Sequence, residues 1–202
     1  DPLFMEEARQ HGPLEPQAWD GQTVHILLDE TELYLDDSAK CTIAATHLVH
    51  PPSFESEGRR DEVRDRYAIE ADPYTGRPRH GFYVYRNRRI IVMAERFHGL
   101  VAAQTQTWAF RARLMFDESA DSILSLDVKK KHCQLPKRAR NNLKAIISTY
   151  QSKSTEAWRT TGRREQERKK MTKEDIANKS IAQGPVPALS YAPGTDLSNA
   201  AV

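Results

Sequence analysis

The stretch GFYVYRNRRIIVMAE, residues 81 to 95, constrains the fold more than any other part of the chain. Phe82, Val84 and Arg86 alternate with Tyr83 and Tyr85, a polar Arg-Asn-Arg-Arg run intervenes, and Ile90, Ile91 and Val92 resume the apolar pattern. A period of two is the signature of a strand, because successive side chains leave the backbone on opposite faces. Asn tolerates the positive φ that a tight hairpin turn requires, so the chain is expected to fold back at Asn87.

Other segments supply partners for this hairpin. TVHILLDE and CTIAATHLV read as two strands, separated by the acidic, turn-like DETELYLDDSAK. TWAFRARLMFD alternates cleanly, with Trp108, Phe110, Ala112, Leu114 and Phe116 on one face and Arg111 and Arg113 on the other. That pattern predicts a half-buried antiparallel strand. SILSLDV follows, with Leu124, Leu126 and Val128 on one face, so a second hairpin is expected through ESADS. Between Pro51 and His80 lies a long charged excursion with room for a short helix around Val63, Tyr67 and Ile69. AERFHGLVAAQTQ is a connector.

From Pro136 the period changes. Ala139, Leu143, Ile146, Ile147 and Tyr150 recur at helical spacing and Pro136 suits the first helical position, so a helix packs on the sheet at least as far as Trp158. The expected organisation is a leader or linker over residues 1–22, touching down by Leu3, Phe4 and Trp19, and a domain over 23–160. A basic helix end and flexible tail follow over 161–202, with periodicity lost beyond Lys170. The fold class is α+β.

Chemistry is sparse. The 202 residues carry a formal charge of +2, so no global field demands a nucleic-acid or membrane partner. A mean hydropathy of -0.70 with 29% charged residues points to some disorder. No window is apolar enough to span a bilayer, and the N-terminus lacks a signal pattern. Cys41 and Cys133 stand alone, as free thiols do in a reducing compartment. The expected location is the cytoplasm.

His47, His50 and His80 invite a metal, but no Cys or carboxylate is arranged around them, and ordinary surface or packing histidines are the favoured reading. His132 and Cys133 are adjacent on an extended segment and point apart, so they do not form a nucleophilic pair. Neither G-x-x-x-x-G-K-[ST] nor G-x-G-x-x-G occurs, which leaves no phosphate cradle. The chain is not expected to be an enzyme in isolation.

What remains is a basic run, Lys129, Lys130 and Lys131, continued by Lys137, Arg138, Arg140 and Lys144 without an intervening carboxylate. Three readings stand beside one another. The run is a solvated loop and helix face, or its lysines reach an anionic group held by a neighbouring domain, a Lys ammonium suiting a terminal phosphate. Alternatively Lys137, Arg138, Arg140 and Lys144 form a nucleic-acid surface, supported by Arg111, Arg113, Arg163, Arg164, Arg168, Lys169 and Lys170.

The order of these elements resembles the transducer domain that follows the ATPase domain in GHKL proteins, the superfamily of gyrase B, heat-shock chaperones, histidine kinases and MutL-type repair proteins. RNRR, Arg86 to Arg89, resembles the V-N-G-R turn of MutL-type members. SLDVKKK, Ser125 to Lys131, resembles their V-D-V-N-V-H-P-x-K. The chain is more similar to bacterial MORC-like ATP-binding proteins with a histidine-kinase-like ATPase domain. There G-F-Y-V-Y-R-N-R-R-L-I is followed by R-I-D and by I-D-V-K-K-S, a Pro and a helix. Gly81 to Ile91 matches nearly letter for letter, with RLMFD at Arg113 to Asp117 and LDVKK at Leu126 to Lys130. The likeness covers roughly residues 20 to 160, and the hairpin is its specific part.

The resemblance implies a fold like domain 2 of ribosomal protein S-five, a mixed and mostly antiparallel sheet with helices packed on one face and a long C-terminal helix. It implies that a lysine reaches the γ-phosphate of ATP bound in a preceding domain. The matched residues are Lys129, Lys130 and Lys131, with Lys130 first by the MORC-like spacing and Lys131 equally selected by the MutL-type one. ATP and Mg would then be held only through an upstream domain that these residues do not encode. The Asn-bearing helix, the D-x-G-x-G motif and the Gly-rich lid are all missing, so no ATP pocket is encoded in these residues, and neither a cofactor nor a metal is expected to be bound by this chain alone. The connector after the hairpin is short and polar for the crossover helix of MutL-type transducers. The expected partners are the protein's own N-terminal ATPase domain, a second copy in a homodimer and DNA, with no membrane. A scaffold whose tail, residues 171–202, docks a partner is the further alternative.

Overall fold

In the computed structural model the described residues are 1–35, 39–97, 99–121, 133 and 135–182. They divide into two compact units, Asp1–Glu165 and Gln166–Val202. The fold is α+β. In chain order the elements are α1 (Met5–His11), β1 (His25–Tyr34), β2 (Lys40–His47), α2 (Glu57–Tyr67), β3 (Gly81–Arg86), β4 (Arg89–Glu95), β5 (Phe110–Phe116) and α3 (Lys137–Ala182).

The five strands form one mixed sheet in the order β1-β2-β5-β3-β4. β1 with β2, β2 with β5 and β3 with β4 are antiparallel, while β3 and β5 run parallel. In this register Leu114 sits between Ile43 of β2 and Val84 of β3, so the apolar members of three strands form one row. Ile43, Ala45, Phe82, Val84, Phe110, Ala112 and Leu114 share their core with Ala139, Leu143, Ile147 and Ala157 of α3. Those α3 positions recur at multiples close to 3.6 residues, the requirement for one continuous apolar stripe against a sheet.

The opposite face of the sheet is covered from the N-terminus. Leu3 and Met5 pack with Ala44 and Tyr83, and the Thr46 hydroxyl donates to the Leu3 carbonyl at 2.7 Å. Leu3 and Trp19, expected to anchor the leader over residues 1–22, are buried, and Met5, Ala8 and Leu14 are buried with them. The physical reason lies in β2, where small Ala44 and Thr46 leave space on that face for large residues from the start of the chain.

Two expectations about element ends change. β1 continues through the acidic stretch to Tyr34, pairing Thr31, Glu32 and Leu33 with Ile43, Thr42 and Cys41. It ends the sheet order, and an edge strand keeps its charged side chains in water. The helix does not end before the tail, since residues 171–182 are helical within the second unit and 166–175 are exposed there. The expected strand SILSLDV and residues 183–202 lie outside the described residues.

The long excursion holds α2, capped by Ser56, whose hydroxyl accepts from the Arg59 amide at 3.3 Å. At its other end Ala68 adopts a left-handed conformation with φ 48°. There Arg111 provides the cover. This residue of β5 is 1% exposed, not solvent-facing as a half-buried strand would have it. Its guanidinium donates to the carbonyls of Trp108 at 2.7 Å, Phe110 at 3.2 Å, Tyr67 at 3.3 Å and Ala68 at 2.8 Å. Burial lowers its pKa from the usual guanidinium value.

Candidate functional site

The hairpin turn is where the sequence resemblance is most specific, and its backbone geometry is well defined. Asn87 and Arg88 have φ of 46° and 64°, the pair of positive values that a type I′ turn needs. Arg86 pairs with Arg89 across it. Because the turn matches the twist of the strands, the tip leaves the sheet in a fixed direction.

That tip is tied to the end of β5. The Asn87 amide donates to the Phe116 carbonyl at 2.9 Å, and its side chain donates to Glu118 at 2.9 Å. Arg86 makes a bidentate pair with Asp121, Nε and Nη2 donating to the two carboxylate oxygens at 2.7 and 2.6 Å. The planar fork of Arg fits a carboxylate in one orientation, so the pair fixes position as well as charge. The Arg86 guanidinium holds the Asp121 carboxyl below the usual range. Between them, a 3-10 turn over Glu118–Ala120 is capped by Asp117, which accepts from the Ser119 amide at 2.9 Å, and Ala120 is buried.

Asp121 is the last described residue before the segment of sequence that bears Lys129, Lys130 and Lys131. Those three lysines, the first-choice site residues, lie outside the described residues. The chain is again described at Cys133, which is buried in the main core. Burial and then the nearby Glu95 carboxylate push its thiol up to about 12, so it is protonated at neutral pH and is no nucleophile.

The second set of site residues opens α3. Lys137, Arg138 and Lys144 are exposed and Arg140 is partly buried. Lys137, Arg140 and Lys144 fall within a narrow arc at about 100° per residue, whereas Arg138 is rotated away from Lys137 by that angle. No acidic residue lies in the first turn of α3. Cations there add to the positive end of the helix dipole, which makes this end attractive to anions.

The three histidines considered for a metal are placed in packing roles. His47 Nδ1 lies 2.7 Å from the Ser154 hydroxyl, and its ring meets Trp19 edge-on at 4.2 Å. His50 Nδ1 lies 2.8 Å from the Ser53 hydroxyl, with Trp158 at 4.5 Å. His80 Nε2 lies 3.0 Å from the Ala102 carbonyl. Burial pushes His47 down to about 3 and His80 to about 4, so both are neutral imidazoles at pH 7. Among the described residues no group of three His, Cys, Asp or Glu side chains is placed to hold a metal ion, and none of the helices is long and apolar enough to cross a membrane.

Sequence reasoning singled out the hairpin and the basic runs but missed Asp121 and the buried role of Arg111. Asp121 lies 35 positions from its partner, and no local pattern marks it. Compared with protein-family models, with curated proteins and with solved structures, the chain matches none.

Proposed function

We propose that this chain is the transducer domain of a GHKL, MORC-like ATPase, which senses the γ-phosphate of ATP bound in a separate upstream domain. The observation that carries the reading is the GFYVYRNRR hairpin, with its type I′ turn and its Arg86–Asp121 pair at the start of the segment bearing Lys129, Lys130 and Lys131. A mixed sheet under a long C-terminal helix accords with the family's architecture.

On this reading ATP draws the lysine tip towards the γ-phosphate and fixes the angle between the domains, which favours dimerisation. Hydrolysis removes the contact and lets the domains separate. The test is ATP turnover of the complete protein with Lys129→Ala, Lys130→Ala, Lys131→Ala and the triple substitution. At least one single variant should lose most of its turnover while melting like the parent. Unchanged turnover in all four would overturn the proposal.

The second reading, nucleic-acid binding, is favoured by the exposed Lys137, Arg138 and Lys144 at the positive end of α3. It requires affinity for duplex DNA or RNA that falls steeply with salt and is lost when these residues become Gln.

A further inference from the structure

A cleft of about 480 Å³ lies along α3 within the first unit, away from the hairpin tip, and neither reading above uses it. Arg159 and Arg163, one turn apart, reach it from the exposed side of the helix. Neither guanidinium has a hydrogen-bond or ion-pair partner among the described residues, although Arg9, Arg59, Arg64, Arg66, Arg79, Arg86 and Arg113 all pair with carboxylates. Glu156, the acid in the cleft, is engaged by the Gln17 amide at 2.7 Å. The balance is positive.

The facing wall is built rather than incidental. The Thr107 hydroxyl donates to the carbonyls of Ala102 at 2.8 Å and Gln104 at 2.7 Å. His80 holds the Ala102 carbonyl as well, and the Gln151 side chain, oriented to suit its neighbours, donates to the Leu100 carbonyl at 2.8 Å. These bonds fix the 100–107 loop against α3 before any ligand arrives.

Thr160 gives an independent sign. Threonines in a helix satisfy their hydroxyls on the carbonyl four residues back, as Thr155 does on Gln151 and Thr172 on Arg168, each at 2.9 Å. Thr160 lines the cleft at 9% exposure, and its Oγ1 has no hydrogen-bond partner among the described residues. A buried hydroxyl without a partner is costly unless something else accepts or donates there.

We propose that this cleft binds a phosphate monoester carried on a small molecule. Two Arg forks suit the oxygens of a phosphate, Gln104 and the Thr155 and Thr160 hydroxyls can contact its ester side, and the volume is that of a small-ligand site. The test is thermal unfolding and equilibrium dialysis of the chain with inorganic phosphate and with glycerol phosphate, against chloride at equal ionic strength. Parallel samples carry Arg159→Gln with Arg163→Gln, Thr160→Val, and the control Arg77→Gln. Both phosphates should raise the melting temperature of the parent and of the control by a few degrees, as mass action requires of a native-state ligand. The rise should vanish in the Arg pair and shrink in Thr160→Val. No rise above chloride, or an equal rise in the Arg pair, would overturn the proposal. So would capture of duplex DNA that depends on these arginines without any response to the phosphates.

Discussion

Replacing Arg111 with methionine keeps most of the side chain's volume but removes every N–H donor it carries. Two of its four hydrogen bonds are short, to Trp108 at 2.7 Å and Ala68 at 2.8 Å. Bonds from a charged donor are worth roughly 1.5–3 kcal/mol each, so these two amount to roughly 3–6 kcal/mol. Against them stands the penalty for burying a cation that has no carboxylate partner among the described residues, which the apolar replacement relieves. The net loss expected for Arg111→Met is about 2–4 kcal/mol. In a domain of this size that lowers Tm by roughly 5–15 °C. Arg111→Lys should not rescue it, because a point ammonium cannot fan out both to the Trp108 carbonyl just before β5 and to the carbonyls at the end of α2. The assay is urea and thermal unfolding followed by circular dichroism, with amide exchange at Ile69, whose N–H donates to the Arg64 carbonyl at the end of α2. Exchange there should accelerate more than in β5. A methionine variant within about 0.5 kcal/mol of the parent would refute the reasoning, since such a result is what an ordinary surface position gives.

Gly81→Ala should weaken the hairpin, because φ is +120° and the new Cβ would lie 2.6 Å from the Glu95 carbonyl oxygen; a loss of about 1–3 kcal/mol in urea unfolding is expected. Arg88→Gly should act in the opposite sense, raising stability by about 0.5 kcal/mol, because φ of 64° strains any side chain in the second turn position and glycine relieves it. Acid should destabilise the fold before the carboxylates titrate. His47 and His80 have folded values near 3 and 4 against an ordinary 6.5, so the unfolded chain takes up protons first. Their contribution is complete above pH 6.5 and is lost as pH falls from there towards 4, read as a falling urea midpoint. Arg86→Gln and Asp121→Asn should each lower ATP turnover of the complete protein while leaving its melting nearly unchanged, if the pair serves to aim the lysine segment.

Most of the sheet was legible in the sequence because its strands alternate. Asn87 marked the turn through its tolerance of positive φ, and α3 announced itself by the spacing of Ala139, Leu143 and Ile147. What alternation could not reveal is the cover of the second face. Arg111 looks solvent-facing when charge is equated with exposure, yet its register neighbours are the small Thr46 and Gly81, and its guanidinium is buried against backbone carbonyls. The N-terminal segment was obscured by Pro2, Pro13, Pro16 and Gly21, which break periodicity while Leu3 and Trp19 still find buried seats. Residues 171–182 carry no apolar stripe, so only backbone helicity reveals them. For the site, the sequence named the lysines but not the Arg86–Asp121 pair, because a contact over 35 residues depends on the folded sheet rather than on local pattern.

The central claim concerns where the γ-phosphate of ATP lies relative to this domain. The most direct measurement is photo-cross-linking of the complete protein with an ATP analogue bearing its reactive group on the γ-phosphate, the labelled peptide being located by mass spectrometry. The account predicts labelling within Lys129 to Lys131, competed away by ATP and not by ADP. Labelling confined to other segments, with ATP bound and none on these lysines, would contradict it.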